Sequence, residues 1–160
     1  MTMTTNPPAV VDSGTFTVRR TITIQAPMDR VWEAITDARH IAAWFGQSAI
    51  LDTVAVGARG VFSFEGVGDF PVLIEELEPP RLIAYRQSND NTRAVDPARV
   101  SPERSTVFRF ALEPAGAGTQ LTVVESGFDS LADPAAGMES NRGGWDAELD
   151  ELVAYLEGGS

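Results

Sequence analysis

The sequence contains no cysteine, no lysine and only one histidine, His40. Without cysteine there is no thiol nucleophile, no disulfide and no thiolate metal site. With a single histidine, a zinc site built from several N or S ligands is not expected. A Ser-His-Asp triad would have to use His40, which stands in a short helical stretch and reads as a solvated helix residue. No apolar run approaches the length of about 18 residues that spans a bilayer. The opening MTMTTNPPAVVDSG lacks both the charged and the apolar part of a signal peptide. No membrane is expected as a partner, and the localisation read is cytoplasmic. Positive charge is scarce as well: 12 arginines face 23 acids, for a net charge of −11. Nucleic acid needs clustered basic side chains and is excluded as a partner.

The chain has 160 residues, 43% hydrophobic and 22% charged, enough for one domain with one core. Residues 1–14 are small, polar and proline-bearing and read as a disordered leader; residues 15–158 read as the single domain. In TFTVRRTITIQAP, Phe16, Val18, Ile22 and Ile24 alternate as in a half-buried strand. PMDRVWEAITDARHIAAWFG follows as two short helices, opened by Pro27 and stopped by Gly46.

From Ala49 to Ser126 the period is two, and turn residues separate about six strands, which implies an antiparallel meander. EGVGDF falls between two strands and opens no helix, so it reads as a turn and not as a phosphate cradle. No calcium-loop spacing occurs. The long polar segment Ser88 to Glu103 reads as a mobile lid.

Asp133-Pro134 supplies an N-cap and a first helical residue. Met138, Arg142, Trp145, Leu149, Leu152 and Leu156 then form one stripe of a long helix. Gly143 and Gly144 interrupt it, and they are expected where the helix backbone passes closest to the strands or roofs the cavity, so that a larger side chain at Gly144 would overpack. The acids Asp146, Glu148, Asp150, Glu151 and Glu157 read as a solvated face. The fold class expected is α+β: a curved antiparallel sheet of six to seven strands around a long C-terminal helix. One helix cannot fill such a concavity, so a cavity is expected between them.

The motifs APMDRVWEAITDARHIAAWFG, LEPPRLIAY, SGFDSL and GWDAELDELVAYLE, in this order from Thr15 to Glu157, make the chain similar to the START-like (SRPBCC, helix-grip) superfamily. Within it, the chain resembles the heat-shock-protein-90 ATPase activator homologue family. The resemblance implies a cavity between helix and sheet but no single activity, since carriers, sensors, cyclases and co-chaperone domains share the fold. The eukaryotic activators carry a separate domain for gripping the chaperone. Nothing corresponding is present here, so chaperone binding is not expected; a homodimer stays open.

The ligand-binding residues expected are the aromatic set Trp44, Phe45, Phe62, Phe64, Phe108, Phe110, Phe128 and Trp145, together with Leu149, Arg86 and Glu125. Inward aromatics also make a plain core, and the resemblance is what favours a pocket. Glu125 shares a face with Leu121 and Val123, and Arg86 with Leu82 and Ala84. Each charge either points inward, where it would orient the polar end of a ligand, or lies solvated at a strand end. No catalytic residue, metal or cofactor is assigned. The leading function is binding of a small hydrophobic or aromatic ligand. The alternatives are a cyclase-like or hydrolase-like enzyme using a pocket carboxylate with Tyr85 or Arg86, and a stress-related, co-chaperone-like interaction protein.

Overall fold

The computed structural model describes residues 6–46, 48–64, 68–88 and 104–158. Within them a short strand β1 (Val10–Asp12) turns into β2 (Thr17–Ile24), and helices α1 (Met28–Thr36) and α2 (Ala38–Trp44) follow. Strands β3 (Ser48–Leu51), β4 (Arg59–Phe64), β5 (Gly68–Glu78), β6 (Leu82–Ser88), β7 (Ser105–Ala115) and β8 (Gly118–Ser126) come next. A single turn of 3-10 helix (Phe128–Ser130) leads into α3 (Pro134–Gly158).

All eight strands form one antiparallel sheet in the order β1-β2-β8-β7-β6-β5-β4-β3. Helices α1 and α2 carry the chain from β2 across to the far edge at β3. The meander then returns strand by strand until β8 pairs with β2. The helices stop where the sequence stops them. Asp37 caps α2 by accepting from the Arg39 amide at 2.9 Å. Gly46, at φ +75°, takes the left-handed conformation after it, and a Cβ there would meet the Ser63 carbonyl at 2.6 Å. At α3 the Asp133 carboxylate accepts from the Ala136 amide at 3.1 Å, and Pro134 opens the helix.

The expected α+β helix-grip fold is present, with eight strands among the described residues where six to seven were expected: β1 and β3 are short edge strands. The leader expectation is corrected for residues 6–12. Val10–Asp12 pairs with β2, Ala9 is buried, and the Ala9 amide donates to Asp146 Oδ1 at 2.7 Å. Phe16, expected inside the first strand, sits instead in the β1–β2 turn at φ +54°, 37% exposed. Residues 1–5, the first half of EGVGDF at 65–67 and residues 89–103 of the expected lid lie outside the described residues.

The inner face of β2 carries Val18, Arg20, Ile22 and Ile24, all buried. Arg20 is the unusual member. Its guanidinium donates to the Pro7 carbonyl at 2.8 Å, to the Trp145 and Asp146 carbonyls at 3.2 and 3.0 Å, and to Asp150 Oδ1 at 2.7 Å. One side chain therefore ties the N-terminal segment, β2 and the middle of α3 together, with its donors satisfied as burial of a charge requires.

Candidate functional site

Five residues of α3, Ser140, Asn141, Gly144, Trp145 and Glu148, recur at the spacing of one helix face and border a cavity of about 250 Å³. The sheet side is built by Phe64 of β4, Phe70 of β5, Gln87 of β6, Phe108 of β7 and Glu125 of β8. Phe45, at the end of α2, completes the lining. Strand register explains the sheet side: Phe108 lies directly across from Glu125, and Gln87 follows Tyr85, the partner of Phe108, by one inward step. The Phe45 ring stacks on Trp145 at 5.6 Å between centroids and 13° between planes, and meets Phe64 edge-on at 5.0 Å.

Glu125 is fully buried and faces the cavity. Its carboxyl group accepts from Thr106 Oγ1 at 2.5 Å, from Asn141 Nδ2 at 3.0 Å to each oxygen, and from Trp145 Nε1 at 2.8 Å. No basic side chain is among these partners. Desolvation raises the Glu125 pKa above the ordinary glutamate range, and the three hydrogen bonds oppose that rise without cancelling it. Glu148, half-buried on the opposite wall, is also raised by burial; its Oε2 accepts from the Gly46 amide at 3.3 Å.

Of the eleven residues expected from sequence, Phe45, Phe64, Phe108, Glu125 and Trp145 border the cavity. Phe62 and Phe110 sit one ring deeper, 5.8 Å from Phe45 and Trp145 respectively, and both are fully buried. Trp44 donates from Nε1 to the Ala34 carbonyl at 2.8 Å and joins α2 to α1. Phe128 packs under the start of α3 near Gly137, and Leu149 is core.

The inward reading of Arg86 is corrected. It pairs with Glu75 and donates to Ser105 Oγ at 2.9 Å, on the sheet face opposite Tyr85 and Gln87. Leu82 to Tyr85 are all buried, so alternation left the phase of β6 undecided. The pairing of Tyr85 with Ile74, and the bond from Tyr85 Oη to the Ile35 carbonyl at 2.6 Å, decide it. Tyr85 itself is sealed away, and burial pushes its phenol far above the ordinary range.

Sequence reasoning passed over Phe70, Gln87, Ser140, Asn141 and Glu148 as lining residues, while Gly144 was expected against the strands or over the cavity. The α3 residues were legible in principle, because they lie one helical step beside the Trp145 stripe. Glu148 had been placed with the solvated acids. That face does more than solvate: Asp146 receives the Ala9 amide, Asp150 pairs with Arg20, and Glu157 accepts from the Gln25 amide at 2.8 Å.

His40 is likewise more than a solvated residue. Nδ1 lies 2.6 Å from Tyr155 Oη and Nε2 3.1 Å from Glu33 Oε1, so it bridges α1, α2 and α3. Glu33, Asp37 and His40 bring potential metal-binding atoms within 4.8 Å of one another. Their atoms are already engaged, however: Asp37 is held down to about 2 by its hydrogen bonds from Arg39, and both His40 nitrogens have protein partners. The cluster reads as an interhelix clamp.

A long C-terminal helix packed against an antiparallel sheet, with a ring-lined cavity between them, defines a helix-grip protein. More specifically, the chain belongs to the family of Activator of Hsp90 ATPase homolog 1-like proteins, which matches residues 25–157. Solved structures agree on the fold. Protein MLL2253 from Mesorhizobium loti is 25% identical, with a TM-score of 0.74 over 90% of this chain and 98% of that one. DynU16, a protein of the dynemicin biosynthetic locus, is 28% identical with a TM-score of 0.69; the match covers 90% of this chain but 48% of DynU16, about half its length. The Aha1 dimer from Colwellia psychrerythraea shares the fold at 18% identity and a TM-score of 0.67, over 88% of this chain and 96% of that one. No curated protein matches the chain. No helix among the described residues is long and apolar enough to cross a membrane.

Proposed function

We propose that this protein binds a small hydrophobic or aromatic molecule in the cavity between α3 and strands β4 to β8. The observation that carries the reading is the combination of a cavity of about 250 Å³, a wall of five aromatic rings and a buried, hydrogen-bonded carboxyl group facing it. Apolar walls with a few fixed polar groups are what ligand cavities use for affinity and orientation. Gly144 leaves the α3 side open, since a Cβ built there meets nothing within 4 Å.

The test is titration of the purified protein with neutral 2-naphthol, followed by tryptophan fluorescence, beside native mass spectrometry for co-purifying small molecules. Saturable quenching that Gly144→Phe abolishes without changing the unfolding midpoint supports the reading. Quenching that Gly144→Phe leaves untouched places the probe elsewhere and overturns it.

A second reading is acid–base catalysis by Glu125, favoured by its cavity-facing position and raised pKa. It requires that Glu125→Gln retain ligand binding while losing turnover.

A further inference from the structure

We infer that the cavity selects a ligand whose apolar or aromatic body carries a cationic group, such as a primary or quaternary amine. This rests on the ligand-binding reading above and specifies the chemistry of that same site. Glu125 and Glu148 enter the lining from opposite walls, while no arginine or histidine among the described residues does. Arg86, the one cation expected there, is turned to the other face of the sheet and pairs with Glu75.

The two carboxyl groups differ in what they still offer. Glu125 already accepts from three side chains, and its role is to fix Asn141 and Trp145 and to set the sign of the field. Among the described residues Glu148 accepts only the long bond from the Gly46 amide at 3.3 Å, which leaves acceptor positions open toward the cavity. A ligand ammonium would donate to them. Burial raises both acids, as expected where no fixed cation compensates them.

The rings act in the same direction. Phe45, Phe64, Phe70, Phe108 and Trp145 line the cavity, and aromatic rings attract an organic cation held against their faces. An anionic ligand would meet two carboxylates and these faces together. The net charge of −11 adds a long-range field that concentrates cations and repels anions.

The experiment is isothermal titration calorimetry of the intact chain with three probes of nearly equal shape: 2-phenylethylammonium, 2-phenylethanol and 3-phenylpropionate. The ammonium is expected to bind at least about tenfold more tightly than the alcohol, the scale of a desolvated cation–π and ion-pair contact. The carboxylate is expected not to bind where the alcohol saturates. Glu148→Gln should erase most of the ammonium's advantage over the alcohol; Glu148 is only half-buried, so the fold tolerates the change. Equal binding of ammonium and alcohol, tighter binding of the carboxylate, or a Glu148→Gln effect equal for all probes overturns the cation preference and leaves the apolar cavity standing. Absence of binding by all three, with 2-naphthol also inert, removes both readings.

Discussion

Trp145 Nε1 donates to Glu125 Oε1 at 2.8 Å, with both residues buried. The bond runs from the middle of α3 to β8, so the helix and the sheet meet through a charge-bearing group at the cavity wall. The same indole stacks on Phe45, which makes its orientation a shared property of three elements. A buried carboxyl group with three donors and no counter-cation among the described residues depends on all three staying in place.

Trp145→Phe keeps an aromatic ring against Phe45 but removes the N–H donor. It should cost about 1.5–3 kcal/mol, the range for a hydrogen bond to a charged group. The pH dependence of Glu125 gives a second reading. Its folded pKa lies above the ordinary value of 4.5, so the folded chain binds more protons than the unfolded one between these two values. The stability this gives is complete below about pH 4.5 and is lost as pH rises through the folded pKa. Glu125→Gln does not titrate. In urea unfolding, the parent-minus-variant stability difference should therefore fall as pH rises from about 4.5; a flat or rising difference would mean that Glu125 is not desolvated.

The glycines of α3 behave differently from the overpacking expectation. The helix does run through them, but a Cβ at Gly143 or Gly144 meets nothing within 4 Å. Gly143→Ala and Gly144→Ala should each stabilise the fold by about 0.5–1 kcal/mol, because alanine is the better helix residue. Equilibrium urea unfolding checks this. A lower midpoint for Gly144→Ala would show that the space beside it is filled.

Arg20 should be the costliest single polar residue to remove. Arg20→Leu removes the donor to the Pro7 carbonyl, to two mid-helix carbonyls and to Asp150, and the loss should be about 3 kcal/mol, the upper scale for hydrogen bonds from a charged group. Asp150→Asn, at the exposed end of the same network, should cost under about 1 kcal/mol. Thermal unfolding of the two variants beside the parent separates them; equal and small losses would reduce the strap to a surface contact.

Local chemistry wrote the element order into the sequence. Proline and glycine punctuate it, alternation marks β2, β7 and β8, and the spacing from Met138 to Leu156 marks α3, because each signal depends on neighbours within a few residues. The inward charge on β2 went unread, although Arg20 stands in phase with Val18 and Ile22. Tertiary pairing decided the rest. A bulge between Ile74 and Glu76 resets the phase of β5, so that Leu77 and not Glu76 faces inward opposite Ile83. On β6 four consecutive buried residues carry no phase at all, and only pairing across the sheet turned Gln87 toward the cavity and Arg86 away. Val10–Asp12 became a strand because β2 offered an open edge, and Glu148 became a wall of the site because α3 packs beside the end of α2, where the Gly46 amide meets it. Periodicity fixes which side chains share a face; which face meets the cavity depends on partners distant in the chain, and no local pattern encodes them.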